Sequence, residues 1–145
     1  EECKFKAAIT EAMAVAHEAN RYLDGKAPWF QIKQGRQAAA TTIYVCLRVI
    51  DNLKILFLPF MPFSSQRLHE MLGYETDILG HQYAETVAEA TRSHLVLRYD
   101  ASRLDARWEP SRLSPGQRLL KPSPLFKKLD DSIVEEEIAR MAAGT

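Results

Sequence analysis

The sequence has no excess of either charge: 19 Lys and Arg stand against 19 Asp and Glu, and the isoelectric point is near 7.2. No global field therefore draws the chain to nucleic acid or to a membrane surface, and any contact with nucleic acid must be a local patch. Cysteine is scarce. Cys3 and Cys46 are far apart in the chain, with no Cys or His pair at ligand spacing, which argues against a zinc site and against a disulfide scaffold. Cys46 lies within an apolar helical run and reads as a buried free thiol in a reducing compartment. A membrane span is lacking too, since it takes roughly 18 uninterrupted apolar residues. The most apolar run, "VCLRVIDNLKILFLPFMPF", is broken by Arg48, Asp51, Asn52 and Lys54. No signal peptide and no initiator Met open the chain, and "EECKFK" reads as the middle of something, so an excised fragment is expected.

Catalytic constellations are also missing. There is no Gly-rich phosphate loop, no GxSxG and no HExxH. His17, His69, His81 and His94 are scattered, each where a surface or helix-flank histidine is the plain explanation. Glu135, Glu136 and Glu137 read as a solvated helix face that suits the helix dipole. No catalytic residue, no metal ligand and no cofactor site is expected within the chain itself.

What is present is one domain of 145 residues with helical periodicity. Phe5, Ile9, Ala12, Met13, Ala16, Asn20 and Leu23 mark the stripe of an amphipathic helix over 4–24, which Gly25 is expected to end. Pro28 suits the first turn of a short helix over 28–33, closed by Gly35. The longest helix is expected over 36–58, apolar around more than half its circumference, with Pro59 and Pro62 as its stop. Ser64 or Ser65 then caps a helix through Leu72, with Gly73 ending it. Over 82–95 the spacing of Ala84, Val87, Ala88, Thr91 and Leu95 predicts a further helix, although Leu95, Leu97 and Tyr99 alternate as in a strand. "SPGQRLLKPSPLFKK" reads as a turn and an extended Pro-containing segment anchored by Leu125 and Phe126. Ser132 and Glu135 have capping-box spacing and open a last helix that packs back on the rest. The fold class expected is all-α, an antiparallel helix bundle.

One junction stands out, "ANRYLDGKAPWFQIKQ". Between residues 20 and 36, Arg21, Lys26, Lys33 and Arg36 face only Asp24, a local charge of +3 in a neutral chain. Exposed aromatics among cations suit single-stranded nucleic acid, whose bases stack on the rings while the cations meet phosphates. The same Trp29 and Phe30 could instead plug the top of the bundle, and the pattern leaves both readings open. If the junction presents Trp29, then Trp29 is expected partly exposed while Phe30 and Ile32 face inward.

"EANRYLDGKAPWFQIKQ", the long helix and "LFLPFMPFSSQRLHEMLGYE" closely resemble the anticodon-binding helical domain of class I methionyl-tRNA synthetases. "EPSRLSPGQRLLKPSPLFKKLDDSIVEEEIARM" is similar to the C-terminal segment of the same family. Valyl, leucyl, isoleucyl and cysteinyl relatives share the bundle but match these words less well. The resemblance covers 1–75 and 108–142, and it leaves 76–107 as a variable insertion on a 1–75 core, with 108–145 as a return segment. It implies that Trp29 stacks on anticodon bases of a methionine tRNA and that Pro28 shapes the platform. Lys26, Lys33 and Arg36 are candidate phosphate contacts from their charge and position alone. The resemblance also implies a cytoplasmic parent enzyme of protein biosynthesis, a methionine–tRNA ligase using ATP and magnesium in a catalytic domain of the same polypeptide that this chain lacks. The alternatives are a non-enzymatic helical interaction module that has kept the bundle and lost tRNA binding, and the anticodon domain of another class I synthetase of the valyl, leucyl, isoleucyl or cysteinyl type.

Overall fold

A computed structural model describes residues 3–130 and 132–143, and the elements follow the order α1 (Phe5–Lys26), α2 (Pro28–Gln34), α3 (Arg36–Leu56), α4 (Pro62–Met71), β1 (His81–Ala88), β2 (Ser93–Asp100) and α5 (Ser132–Ala143). α1 and α3 pack antiparallel. The Phe5 ring, at the start of α1, meets Phe60 just past the end of α3, edge-on with centroids 6.4 Å apart. Ala12 and Ala39 are buried at 4% and 5% exposure, small residues that let neighbouring helices approach. α2 is a stub laid across the other end of the pair, where the Thr42 hydroxyl donates to the Gln31 side-chain oxygen over 2.8 Å.

Proline sets the break between α1 and α2 and the start of α4. α1 runs through Gly25 to Lys26, and the Ala27 N–H still donates to the Leu23 carbonyl over 2.8 Å. Pro28 disfavours a right-handed helical conformation at the residue before it, so α1 cannot continue through Ala27; Ala27 is left-handed with φ 43°, and α2 starts at once. The same logic moves the start of α4 from the expected serines to Pro62, which occupies the first turn. Gly35 and Gly73 do stand where α2 and α4 end. Gly73 is needed there on two counts. Its φ is +84°, and a Cβ would lie 2.1 Å from the Arg118 carbonyl oxygen of the return segment.

The helix expected over 82–95 is instead a hairpin, so the fold is not all-α. β1 and β2 pair antiparallel from His81↔Asp100 to Ala88↔Ser93. Thr86, Val87, Val96 and Tyr99 favour strand, and the alternation of Leu95, Leu97 and Tyr99 outweighs the helical spacing of Ala84, Val87 and Ala88. Arg98 donates to Glu85 across the ribbon over 2.7 Å. The Tyr99 hydroxyl accepts from the Gly80 N–H over 2.8 Å and pins the base of the hairpin.

After the hairpin the chain returns along α3 and α4 without regular structure. The Tyr44 hydroxyl donates to Leu113 O over 2.8 Å, Gln117 Nε2 to Leu72 O over 2.6 Å and Leu120 N to Met71 O over 3.0 Å. Leu113, 4% exposed, is the apolar anchor of this return; Phe126 is 63% exposed. α5 begins at Ser132, whose N–H goes to the Asp130 carboxylate over 3.1 Å, so Asp130 rather than a Ser132 box serves the helix start. Its Val134, Ile138 and Met141 remain 58–67% exposed, so the apolar side of α5 does not pack back as expected. No helix among the described residues is long and apolar enough to cross a membrane.

Candidate nucleic-acid interface

The left-handed Ala27 and the buried Pro28 fold the chain into a sharp corner, and Trp29 follows as the next residue of α2. Trp29 is 51% exposed. A helix that begins on a locked φ and is tied to α3 through Gln31 and Thr42 holds that ring on a stiff mount. Phe30 and Ile32 contradict the expectation of inward-facing side chains: they are 60% and 59% exposed. The physical reason is the length of the stub. A helix of seven residues has fewer than two full turns, and the face it buries is taken by Pro28 and Gln31.

Lys26, Lys33 and Arg36 all lie exposed around this corner. Lys33 Nζ rides 5.7 Å from the centroid of Phe30, and Lys26 Nζ 5.9 Å from that of Tyr22. Arg36 opens α3 just past Gly35. Arg21 is instead engaged by Glu18 one turn back on α1. Asn20, at the end of the α1 stripe, is exposed. The structure therefore gathers Pro28, Trp29, Lys26, Lys33 and Arg36 at one end of the helix pair.

A second polar site, away from this end, went unread in the sequence. Lys54 and Asp51, one turn apart on α3, are 5% and 4% exposed and paired at 2.5 Å. Lys54 Nζ donates also to His69 Nδ1 over 2.8 Å and lies 3.8 Å from the centroid of Tyr74, whose ring stacks flat on His69. Asp51 accepts from the Ser111 hydroxyl over 2.6 Å and from the Tyr74 hydroxyl over 3.1 Å. With Nδ1 accepting, His69 is the tautomer whose Nε2–H donates to Thr76 Oγ1 over 3.0 Å, and Thr76 in turn donates to Asp105 over 3.2 Å. The sequence did carry a signal. An Asp and a Lys three apart in the most apolar helix have to be paired if that helix is central.

Every polar group of this cluster is committed, so it works as a clasp. It joins α3, α4, the loop before the hairpin and the return segment. Burial alone would push the Asp51 carboxyl up, but hydrogen bonds from Lys54, Ser111 and Tyr74 and the Lys54 charge hold it below the usual carboxylate range. Burial lowers Lys54, partly offset by Asp51. Burial first, and then the Lys54 charge, push His69 from 6.5 down to about 4. Burial together with the Asp51 charge pushes the Tyr74 phenol up. Burial also raises the Cys46 thiol, which is half-buried.

Acid sensitivity follows from His69. Between about pH 4 and 6.5 the unfolded chain binds a proton at this residue and the folded chain does not, so stability rises with pH across that window. The contribution is complete above 6.5 and is lost as pH falls toward 4, with Asp51 adding in the same direction below its own ordinary value. Urea unfolding should show a loss of roughly 3 kcal/mol between pH 7 and pH 4 from this one group. His69→Gln should flatten the profile over that window; an equally steep profile in the variant would assign the effect elsewhere.

Among the described residues no group of three or more His, Cys, Asp or Glu is placed to hold a metal ion. The family model described as the anticodon binding domain of methionyl tRNA ligase matches residues 1–100. The methionine–tRNA ligase of Chloroflexus aggregans is 54% identical over 139 residues, 95% of this chain and 23% of that protein. That of Thermomicrobium roseum is 51% identical over 97% of this chain and 24% of its own length, and that of Thermobifida fusca 38% over 97% and 24%. The chain thus spans about a quarter of the length of these curated relatives. With the corner motif, the long helix and the Pro-rich stop all inside the matched range, the chain belongs to the family of methionyl tRNA ligase anticodon binding domains.

Proposed function

We propose that the chain is the anticodon-reading module of a cytoplasmic methionine–tRNA ligase. The ligase uses ATP and magnesium to attach methionine to its tRNA in a catalytic domain of the same polypeptide. The module's part is positioning: anticodon bases unstack, one settles on Trp29 above the buried Pro28, and hydrogen bonds to base edges supply selectivity. Lys26, Lys33 and Arg36 meet the phosphates around it. The observation that carries this reading is the half-exposed Trp29 ring on a corner fixed by Ala27 and Pro28. In this reading residues 1–75 form the bundle core, 76–107 a variable insertion whose two strands pair with each other, and 108–145 the return segment.

The neutral net charge favours a second reading, a helical interaction module without tRNA binding. A titration of the full-length protein separates the two. Methionine tRNA should bind at least tenfold more tightly than the same tRNA with a substituted anticodon, with affinity falling as salt rises. Equal affinity for both RNAs would leave only the interaction-module reading standing.

A further inference from the structure

Phe30 stands edge-on to Trp29, with ring centroids 6.3 Å apart and planes at 62°. At 60% exposure it forgoes much of the stabilisation that burying such a side chain supplies. The backbone beneath both rings is fixed by Pro28 and by the Gln31–Thr42 bond, so the exposure belongs to a stiff element. The Lys33 ammonium lies over the Phe30 ring at 5.7 Å. Two outward rings on consecutive residues, with a cation on the second, outnumber what a single stacked base needs.

We propose that Phe30 is a second nucleobase-stacking surface, which takes the base of the nucleotide adjoining the one on Trp29, with Lys33 meeting its phosphate. The inference rests on Trp29 being a stacking platform. Rings at 62° cannot receive two neighbouring bases in the parallel stack that they keep in a helix. Bases engaging both rings are held splayed, with their edges free for hydrogen bonding, which is how single-stranded loops are read. Stacking tolerates any base, so Phe30 adds affinity and a loop conformation rather than selectivity of its own.

The test uses the full-length ligase and the anticodon stem-loop of methionine tRNA carrying 2-aminopurine at a loop position beside the anticodon. Phe30→Leu keeps apolar bulk and loses the aromatic face. It should weaken binding about five- to tenfold and relieve the quenching of the probe, while Phe30→Tyr retains both and the thermal midpoint of each variant stays that of the parent. Parent-like binding and quenching in Phe30→Leu would overturn the inference, as would a loss that only tracks a lowered midpoint, the mark of a ring packed against the rest of the polypeptide. Trp29→Ala is measured alongside. If it too binds as the parent does, the reading of Trp29 fails first; if it alone is impaired, only the role of Phe30 is lost.

Discussion

Trp29→Ala in the full-length ligase should lower charging of methionine tRNA at least tenfold, through weaker engagement of the tRNA. The magnitude comes from the stacking energy of one base on an aromatic ring, roughly 1–3 kcal/mol, where 1.4 kcal/mol is a factor of ten. The ring is half exposed on a stub whose backbone is held by Pro28 and Gln31, so its loss leaves the fold in place. Methionine-dependent exchange of pyrophosphate into ATP needs no tRNA and should barely change. That pairing discriminates: a variant unable to fold would lose both activities, and one whose tryptophan merely fills space would keep both. Near-parental charging would sink the stacking role. Lys26→Ala or Lys33→Ala would act differently, by reducing the dependence of binding on salt rather than the response to the anticodon base.

The helices that build the corner were legible because their apolar residues recur at three- and four-residue spacing over twenty or more positions, as in α1 and α3. The stub α2 was legible from Pro28 and Gly35 alone, but which of its side chains would be buried was not. Trp29, Phe30 and Ile32 share one side of the helix, an arc of about 160°, and seven residues hold too little periodicity to show which side is buried. The hairpin was hidden because Ala84, Val87, Ala88 and Leu95 happen to fit helical spacing, and the two-residue alternation of Leu95, Leu97 and Tyr99, which the fold follows, spans too short a window to be decisive in the sequence alone. His69 shows a different limit. Its partners, Lys54 and Thr76, lie on opposite sides of it in the chain, and its third neighbour, the Tyr74 ring, is set by the turn at Gly73. Nothing in the local pattern around His69 announces a buried group; only the Asp51–Lys54 pair in an apolar helix does.

Lys54→Met should be the most damaging single change to stability, at about 3–5 kcal/mol. Methionine fills nearly the same volume, so the cost is electrostatic. It leaves the Asp51 carboxylate, 4% exposed, without its cation, and it leaves His69 Nδ1 an acceptor with no donor. Asp51 still has Ser111 and Tyr74, which keeps the loss below the cost of a wholly uncompensated buried charge. Adding Asp51→Asn to Lys54→Met removes the orphaned charge, so the double variant should be more stable than Lys54→Met alone. The two substitutions should couple by roughly 1–3 kcal/mol in a double-mutant cycle. Denaturant unfolding of the four proteins measures this. A cost under about 1 kcal/mol for Lys54→Met, or simple additivity with Asp51→Asn, would show that the pair is solvated rather than the centre of the clasp. Binding of methionine tRNA at low temperature, where the variant is still folded, should stay close to that of the parent. The clasp grips the C-terminal ends of α3 and α4, whereas Trp29 is mounted beside the N-terminal end of α3, on Pro28 and on the Gln31–Thr42 bond.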